Sequence, residues 1–190
     1  LTTTVTIKPL DVWEHELRVG FNDDDLLDVD VADPGSTQTT SKSRINTDRY
    51  AAEWLQRISW GSFGLSTGGL EFKDEEAEGS FEQVVTQWAA FFQHQLDLGD
   101  RFTVIGGTRH LRHNLFGHET TAEASASYRV PVIDTRLRGN FSMGFRAPDM
   151  NELFFPNFGN RSLSPEESRT FEVGLEKDWW ERRLTAGISL

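Results

Sequence analysis

The stretch Asn22 to Asp30 crowds carboxylates together, with Asp33 just beyond it. Calcium takes oxygen ligands of this kind, which makes Asp23, Asp24, Asp25, Asp28 and Asp30 the candidate metal ligands. Their spacing matches no EF-hand loop, and a solvated acidic loop explains the same residues. His110, His113 and His118 form a second group, apart from His15 and His94. Their spacing suits neither a helix pair nor a zinc motif, and surface loop positions account for them. No GxSxG or comparable nucleophile setting is present, so the chain is not expected to be an enzyme. Arg136, Arg138 and Arg146 share one parity of an alternating stretch. They could attract anionic ligand groups through charge-assisted hydrogen bonds, or pair with acids on neighbouring strands. Phe154, Phe155 and Phe158, with Asn157 and Asn160, put aromatic and amide groups into one short loop. An exposed aromatic patch of this kind marks a binding site, or else packs against neighbouring loops.

The elements that must position these groups read as β-strands. From Val12 to Phe21, the residues Trp13, Leu17, Val19 and Phe21 oppose Glu14, Glu16 and Arg18. Period-two alternation of this sort is the mark of a half-buried strand; His15 on the apolar side is the exception. Residues 22 to 46 read as a long acidic, then Ser/Thr-rich loop, with Asp33-Pro34-Gly35 as a turn and disorder expected without ligand. Alternation resumes over Thr47 to Trp60, and over Phe63 to Lys73 with a slip at Gly68-Gly69 that suggests a bulge. Asp74 to Ser80 reads as a short acidic loop. Phe81 to Leu98 is a strand in spite of its helix-like Trp88-Ala89-Ala90-Phe91-Phe92 core. Arg101 to Arg112, Glu119 to Val130, Thr135 to Arg146 and a segment from Arg169 follow, with turns at Pro9-Leu10-Asp11, Gly61-Ser62, Gly99-Asp100, Pro131 to Asp134 and Glu181-Arg182. About ten antiparallel strands at hairpin spacing result.

Composition narrows the class. The 190 residues carry a formal charge of −11, which argues against a nucleic-acid partner. With no cysteine, neither disulfides nor thiolate metal sites are possible. No apolar run approaches the roughly 20 residues of a membrane helix. Mean hydropathy is −0.49, a value that fits a soluble protein but also a membrane barrel, in which only alternate residues meet lipid. The aromatic positions bear on that choice. If the short turns lie at one end, Trp13, Trp60, Trp179 and Trp180 sit near that end, while Phe21, Tyr50, Phe72, Phe81, Phe145 and Phe171 sit near the other. Trp13 with Phe21, Tyr50 with Trp60, and Phe171 with Trp179 share faces. Eight to ten tilted strand residues span roughly 20–25 Å, the height of a barrel's apolar band.

One stretch carries more than pattern. Phe145-Arg146-Ala147-Pro148, then Asn151-Glu152-Leu153, the aromatic loop Phe154 to Asn160, then Leu163-Ser164-Pro165-Glu166-Glu167-Ser168, and Glu172-Val173-Gly174 follow in order. This succession resembles the C-terminal half of TonB-dependent outer-membrane receptors, and the aromatic loop looks most like the cobalamin and siderophore branch. The resemblance implies an all-β fold, a partial antiparallel transmembrane β-barrel that forms part of a receptor barrel domain over residues 1–190. It implies a Gram-negative outer-membrane location, active uptake of cobalamin or an iron chelate, and contact with TonB through an N-terminal region. It also implies that the plug, the TonB-contacting segment and the last strands lie outside this sequence. It adds a little to the case for calcium in the acidic loop and calls for no other cofactor. A passive porin-like channel and a soluble ligand-binding β-barrel are the alternatives.

Overall fold

A computed structural model describes residues 1–31, 35, 39–156, 158–180 and 183–190. Ten strands form one sheet in strict sequence order, each antiparallel to the next. They are β1 (Thr2–Leu10), β2 (Trp13–Asp30), β3 (Ser41–Ser59), β4 (Gly64–Gly79), β5 (Gln83–Leu98), β6 (Phe102–His113), β7 (Gly117–Val130), β8 (Thr135–Arg146), β9 (Glu166–Trp179) and β10 (Leu184–Ser189). A five-residue helix, α1 (Met150–Phe154), stands between β8 and β9. Sequential pairing of this kind is what tight hairpins favour, since each strand finds its partner next in the chain. At the β3–β4 turn, Gly64 takes φ +130° with its missing Cβ directed at the Gln95 carbonyl. A side chain there would collide with backbone.

Alternation gives the sheet two unlike faces. Register places Leu17, Trp54 and Leu70 on one of them, continuing to Ala90. The opposite face carries Arg18, Glu53 and Glu71 in the adjacent row. On the apolar face, aromatic rings meet across strands: Phe21 with Tyr50 at 4.9 Å, Phe72 with Trp88 at 4.4 Å, and Phe141 with Phe171 at 4.8 Å between centroids. No second layer covers them. Trp88 is 56% exposed and Phe171 73%, and Trp13, Trp60 and Trp179 lie outside the buried set. Among the described residues the buried apolar side chains are Ile45, Leu55, Ala77, Ala89, Met150 and Leu153. All four of the strand residues lie on the charged face. A soluble domain of this size would bury a core of large side chains between layers; here the large rings are left outward.

Several sequence expectations are corrected. Residues 22–46 do not form one long loop, because β2 continues to Asp30 and β3 begins at Ser41, paired residue for residue. Asp74 to Gly79 likewise belongs to β4. Acidic composition suggested loops, but a paired ladder satisfies the backbone, so its exposed positions can carry carboxylates. Cross-strand partners assist: Asp25 receives Arg44 at 2.5 and 2.9 Å, and Glu75 receives Arg49 at 2.7 Å. The register runs through Gly68 and Gly69 without a bulge. What the glycines provide is room, since a Cβ on Gly69 would meet the Phe91 ring at 2.7 Å. β1 extends through Leu10, with its irregularity between Ile7 and Leu10. The Asp33-Pro34 and Glu181-Arg182 turn positions lie outside the described residues. Phe81 to Leu98 is strand from Gln83 onward, and β8 pairs with β9 from Thr135↔Lys177 to Arg146↔Glu166, as the alternation leads one to expect.

Candidate functional site

The aromatic loop is built from its first proline. Pro148 cannot donate to the ladder, and β8 ends two residues earlier at Arg146. Asp149 then caps α1. Its carboxylate accepts from the Glu152 amide at 2.8 Å, and the Glu152 carboxylate accepts from the Asp149 amide at 2.9 Å. This reciprocal arrangement satisfies donors that a helix start otherwise leaves open. Glu152 also receives Arg146 at 2.7 Å, and Arg146 lies 3.5 Å from Glu166 on β9. The guanidinium holds the Glu152 carboxyl below its ordinary range, and the Asp149 amide adds to this. Past the helix, the Asn160 amide returns to the Glu152 carbonyl at 2.8 Å and closes the loop on itself.

α1 is fastened to the charged face at the end of the sheet. Met150 joins Ile45 of β3 and Ala77 of β4 in a buried cluster, with Phe81, Val85, Phe154 and Phe155 packed around it. Burial of a Met or Leu side chain is worth about 1.5–3 kcal/mol, so Met150 and Leu153 are substantial anchors for a short helix. Phe154 packs 5.9 Å from Phe81, with the Arg161 guanidinium 5.2 Å from its ring. Phe155 lies 6.3 Å from Phe158, and Phe158 is 83% exposed. The three phenylalanines therefore differ: two are half-buried anchors and one faces solvent. The Asn160 side chain accepts from the Ser162 amide at 3.0 Å and hydroxyl at 2.6 Å. Asn157 lies outside the described residues.

The arginines are not gathered with the aromatics as a set. Arg136 and Arg138 lie near the start of β8, 4.0 Å from Glu176 and 3.8 Å from Glu172 on β9. Arg146 stands ten residues along the same strand, roughly 33 Å away at strand rise, and it alone meets the loop. Other pairs tie the same face together. Arg57 bridges Glu14 at 2.7 Å and Glu16 at 3.3 Å, and Arg109 grips Glu71 through both nitrogens at 2.6 and 2.9 Å. These pairs were not foreseen residue by residue, because register decides which charges meet.

The histidine trio is divided by parity. His110 and His118 stack at 5.5 Å on the apolar face. His113 turns to the other side, buried against Phe116, its Nδ1 accepting from the Leu115 amide at 3.1 Å. Asp23, Asp24 and Asp28 are exposed, and Asp25 is engaged by Arg44, which lowers its carboxyl pKa. Among the described residues no three His, Asp or Glu side chains are grouped to hold a metal ion.

A sheet of sequential antiparallel strands, ion-paired on one face and apolar with outward rings on the other, is the wall of a β-barrel with its charged face inward. Residues 2–190 match the family described as TonB dependent receptor-like, beta-barrel, and the chain belongs to that family. It is similar to the vitamin B12 transporter BtuB of Photobacterium profundum, 24% identical over 148 residues that make up 72% of this chain and 23% of the relative. BtuB of Vibrio cholerae serotype O1 is 21% identical over 68% of this chain and 21% of its own length. Among solved structures, a ferric enterobactin receptor, PfeA of Pseudomonas aeruginosa, superposes with TM-score 0.80 at 14% identity, covering 99% of this chain and 33% of that one. The copper transporter OprC gives 0.68 at 18% identity over 87% and 33%. The chain thus spans under a quarter of the length of these curated relatives and a third of these solved ones.

Proposed function

We propose that this chain is part of the barrel of an outer-membrane receptor that takes up a scarce ligand, cobalamin or a ferric siderophore. In this reading the end bearing α1 faces outward from the cell and the apolar face meets lipid. Energy comes from TonB acting on a region outside this sequence, and the protein carries its ligand without transforming it chemically. The observation that supports the reading most is the fastened loop. α1 is locked to the inner face at the mouth by Met150, with Phe154 and Phe155 beside it, while Phe158 is held out to solvent. A loop whose conformations are already restricted by Pro148, Pro156 and Pro165 loses less entropy when a ligand docks. Phe158, with the exposed edges of Phe154 and Phe155, offers stacking surface to a corrin or an aromatic chelator. Asn157 and Asn160 would supply hydrogen bonds and Arg146 a positive charge. Arg136 and Arg138, far down β8, would act on an anion only in transit.

The test is binding by the full-length receptor with Phe154, Phe155 and Phe158 all replaced by alanine. Affinity for cobalamin or ferric siderophore should fall by about 2–4 kcal/mol, more than tenfold, with barrel assembly unchanged. Phe158→Ala alone should account for a large share without loosening the loop. Unchanged affinity together with lost heat resistance of the folded barrel would assign the phenylalanines to packing and move the site elsewhere.

A further inference from the structure

Between β2 and β9 the outward aromatic band is interrupted at its upper edge on two strands. Trp13 to Phe21 on β2 and Trp179 to Phe171 on β9 each span eight residues between rings at the two edges of the band. The same count on β6 runs from Phe102 to His110, and on β7 from Tyr128 to Thr120. Where the neighbours place rings at the upper edge, β6 and β7 place an imidazole and a hydroxyl. One pleat higher, Arg112 pairs with His118 in register, and Trp88 lies opposite Arg112 on β5. His110 and His118 stack side by side, and His110 Nδ1 lies 2.9 Å from the Thr120 hydroxyl. Arg112, His110 and His118 are exposed, and Arg112 has no carboxylate partner among the described residues. Asp23, Asp48 and Glu76 occupy upper outward positions of β2, β3 and β4; there the cation Arg44 is paired with Asp25, whereas Arg112 on β6 is left with imidazole and hydroxyl neighbours.

Below the cationic group the outward surface is shallow. Gly106 and Ala124 are register partners, and a Cβ on Gly106 would meet nothing within 4 Å. His94, hydrogen-bonded to Ser66, lies opposite Gly106 on the β5 side with Phe92 one pleat above it, and Phe141 lies opposite Ala124 on the β8 side. This leaves a groove of small residues running down the apolar band between two rings. An acyl chain fits such a groove, and the group at its upper end would then lie beside Arg112, His110, His118 and Thr120. A guanidinium fork with flanking N–H and O–H donors is matched to phosphate oxygens.

We propose that the outer face of β6 and β7 holds a phosphate-bearing lipid of the outer leaflet, its phosphate on Arg112, His110 and His118 and a chain in the Gly106–Ala124 groove. The proposal rests on the outer-membrane reading above. The full-length receptor is placed in bilayers of equimolar phosphatidylglycerol and phosphatidylcholine and extracted, and the retained lipid is identified by native mass spectrometry. Phosphatidylglycerol should be retained preferentially. Arg112→Gln should lower that preference roughly fivefold, the weight of one basic residue at an anionic surface. Ala124→Trp, which fills the groove and leaves the cations in place, should lower lipid retention as well. Arg18→Gln, which removes a charge from the inner face, should leave it unchanged; an equal loss there would reduce the effect to net charge and overturn the proposal. Inorganic phosphate that displaces the lipid completely at equal concentration would also overturn it, because the groove would then contribute nothing. A receptor that inserts in bilayers but retains both lipids equally sinks this inference alone. One that never enters bilayers sinks the outer-membrane reading with it.

Discussion

The inner and outer faces of the sheet are made from alternate residues of the same strands, yet different forces hold them. Inside, neighbours are joined by ion pairs such as Glu14–Arg57–Glu16 and Glu71–Arg109. Outside, rings meet rings, as at Phe72–Trp88, and the wider apolar surface is left for another medium to cover. The difference teaches that burial within this chain is a poor guide to which residues matter. On the proposed outer-membrane reading, lipid covers the half-exposed outer leucines and tryptophans, and the inner charges depend on register. Parity therefore decides the cost of a change.

The largest test of that contrast uses two adjacent residues of β7. Ala124 points outward near the middle of the band, and Ser125 points inward. Ala124→Arg should destabilise the full-length barrel in bilayers by about 2–4 kcal/mol, the cost of a cation at mid-bilayer. Ser125→Arg should cost less than about 1 kcal/mol, because the interior tolerates charge. Urea titration of bilayer-inserted protein reads both, and equal costs would break the contrast. A step smaller, Arg109→Met strands the Glu71 carboxylate on the inner face, where its side chain is 19% exposed. A loss of about 1–2 kcal/mol is expected in the same titration, partly recovered by adding Glu71→Gln, since an unpaired charge costs more than an absent pair.

The strands were legible in the sequence because an alternating strand records its face in every second residue. Trp13 to Phe21 and Thr135 to Arg146 are clear examples. Composition was the weaker guide. The acids of residues 22–30 and 74–79 suggested loops, but a hairpin that rises into water can carry carboxylates on both faces and keep its ladder. The site was half legible. Three phenylalanines in one loop announced an aromatic feature, yet nothing local revealed that Phe154 and Phe155 would seat beside Ile45 and Ala77, more than seventy residues earlier in the chain. The capping box was visible as Asp149 and Glu152 at the right interval, a signal that alternation analysis passes over. The arginines could not be sorted by parity alone, because parity gives the face and not the height along the strand.

Smaller effects probe the loop against the sheet. Asp149→Ala removes the cap of α1 and should cost about 1 kcal/mol of local stability, read as faster amide exchange over residues 150–156 with the strands unaffected. Acid should act on the same place. The folded-state pKa of Glu152 lies below its ordinary 4.5, so the Arg146–Glu152 contribution is present above that range and is lost as pH falls through the lowered value. Amide protection of the loop should hold at neutral pH and weaken only below about pH 4.5. Glu152→Gln should flatten the dependence.

The central claim is that even-numbered residues of β7 face lipid and odd-numbered ones face the barrel interior. This sequence has no cysteine, so single cysteines at 122 to 127 can each carry a nitroxide in the bilayer-inserted receptor. Accessibility to dissolved oxygen and to a water-soluble nickel chelate is then compared by electron paramagnetic resonance. Oxygen should dominate at positions 122, 124 and 126, and the chelate or neither reagent at 123, 125 and 127. A profile without this period of two, or with its parity reversed, would contradict the account.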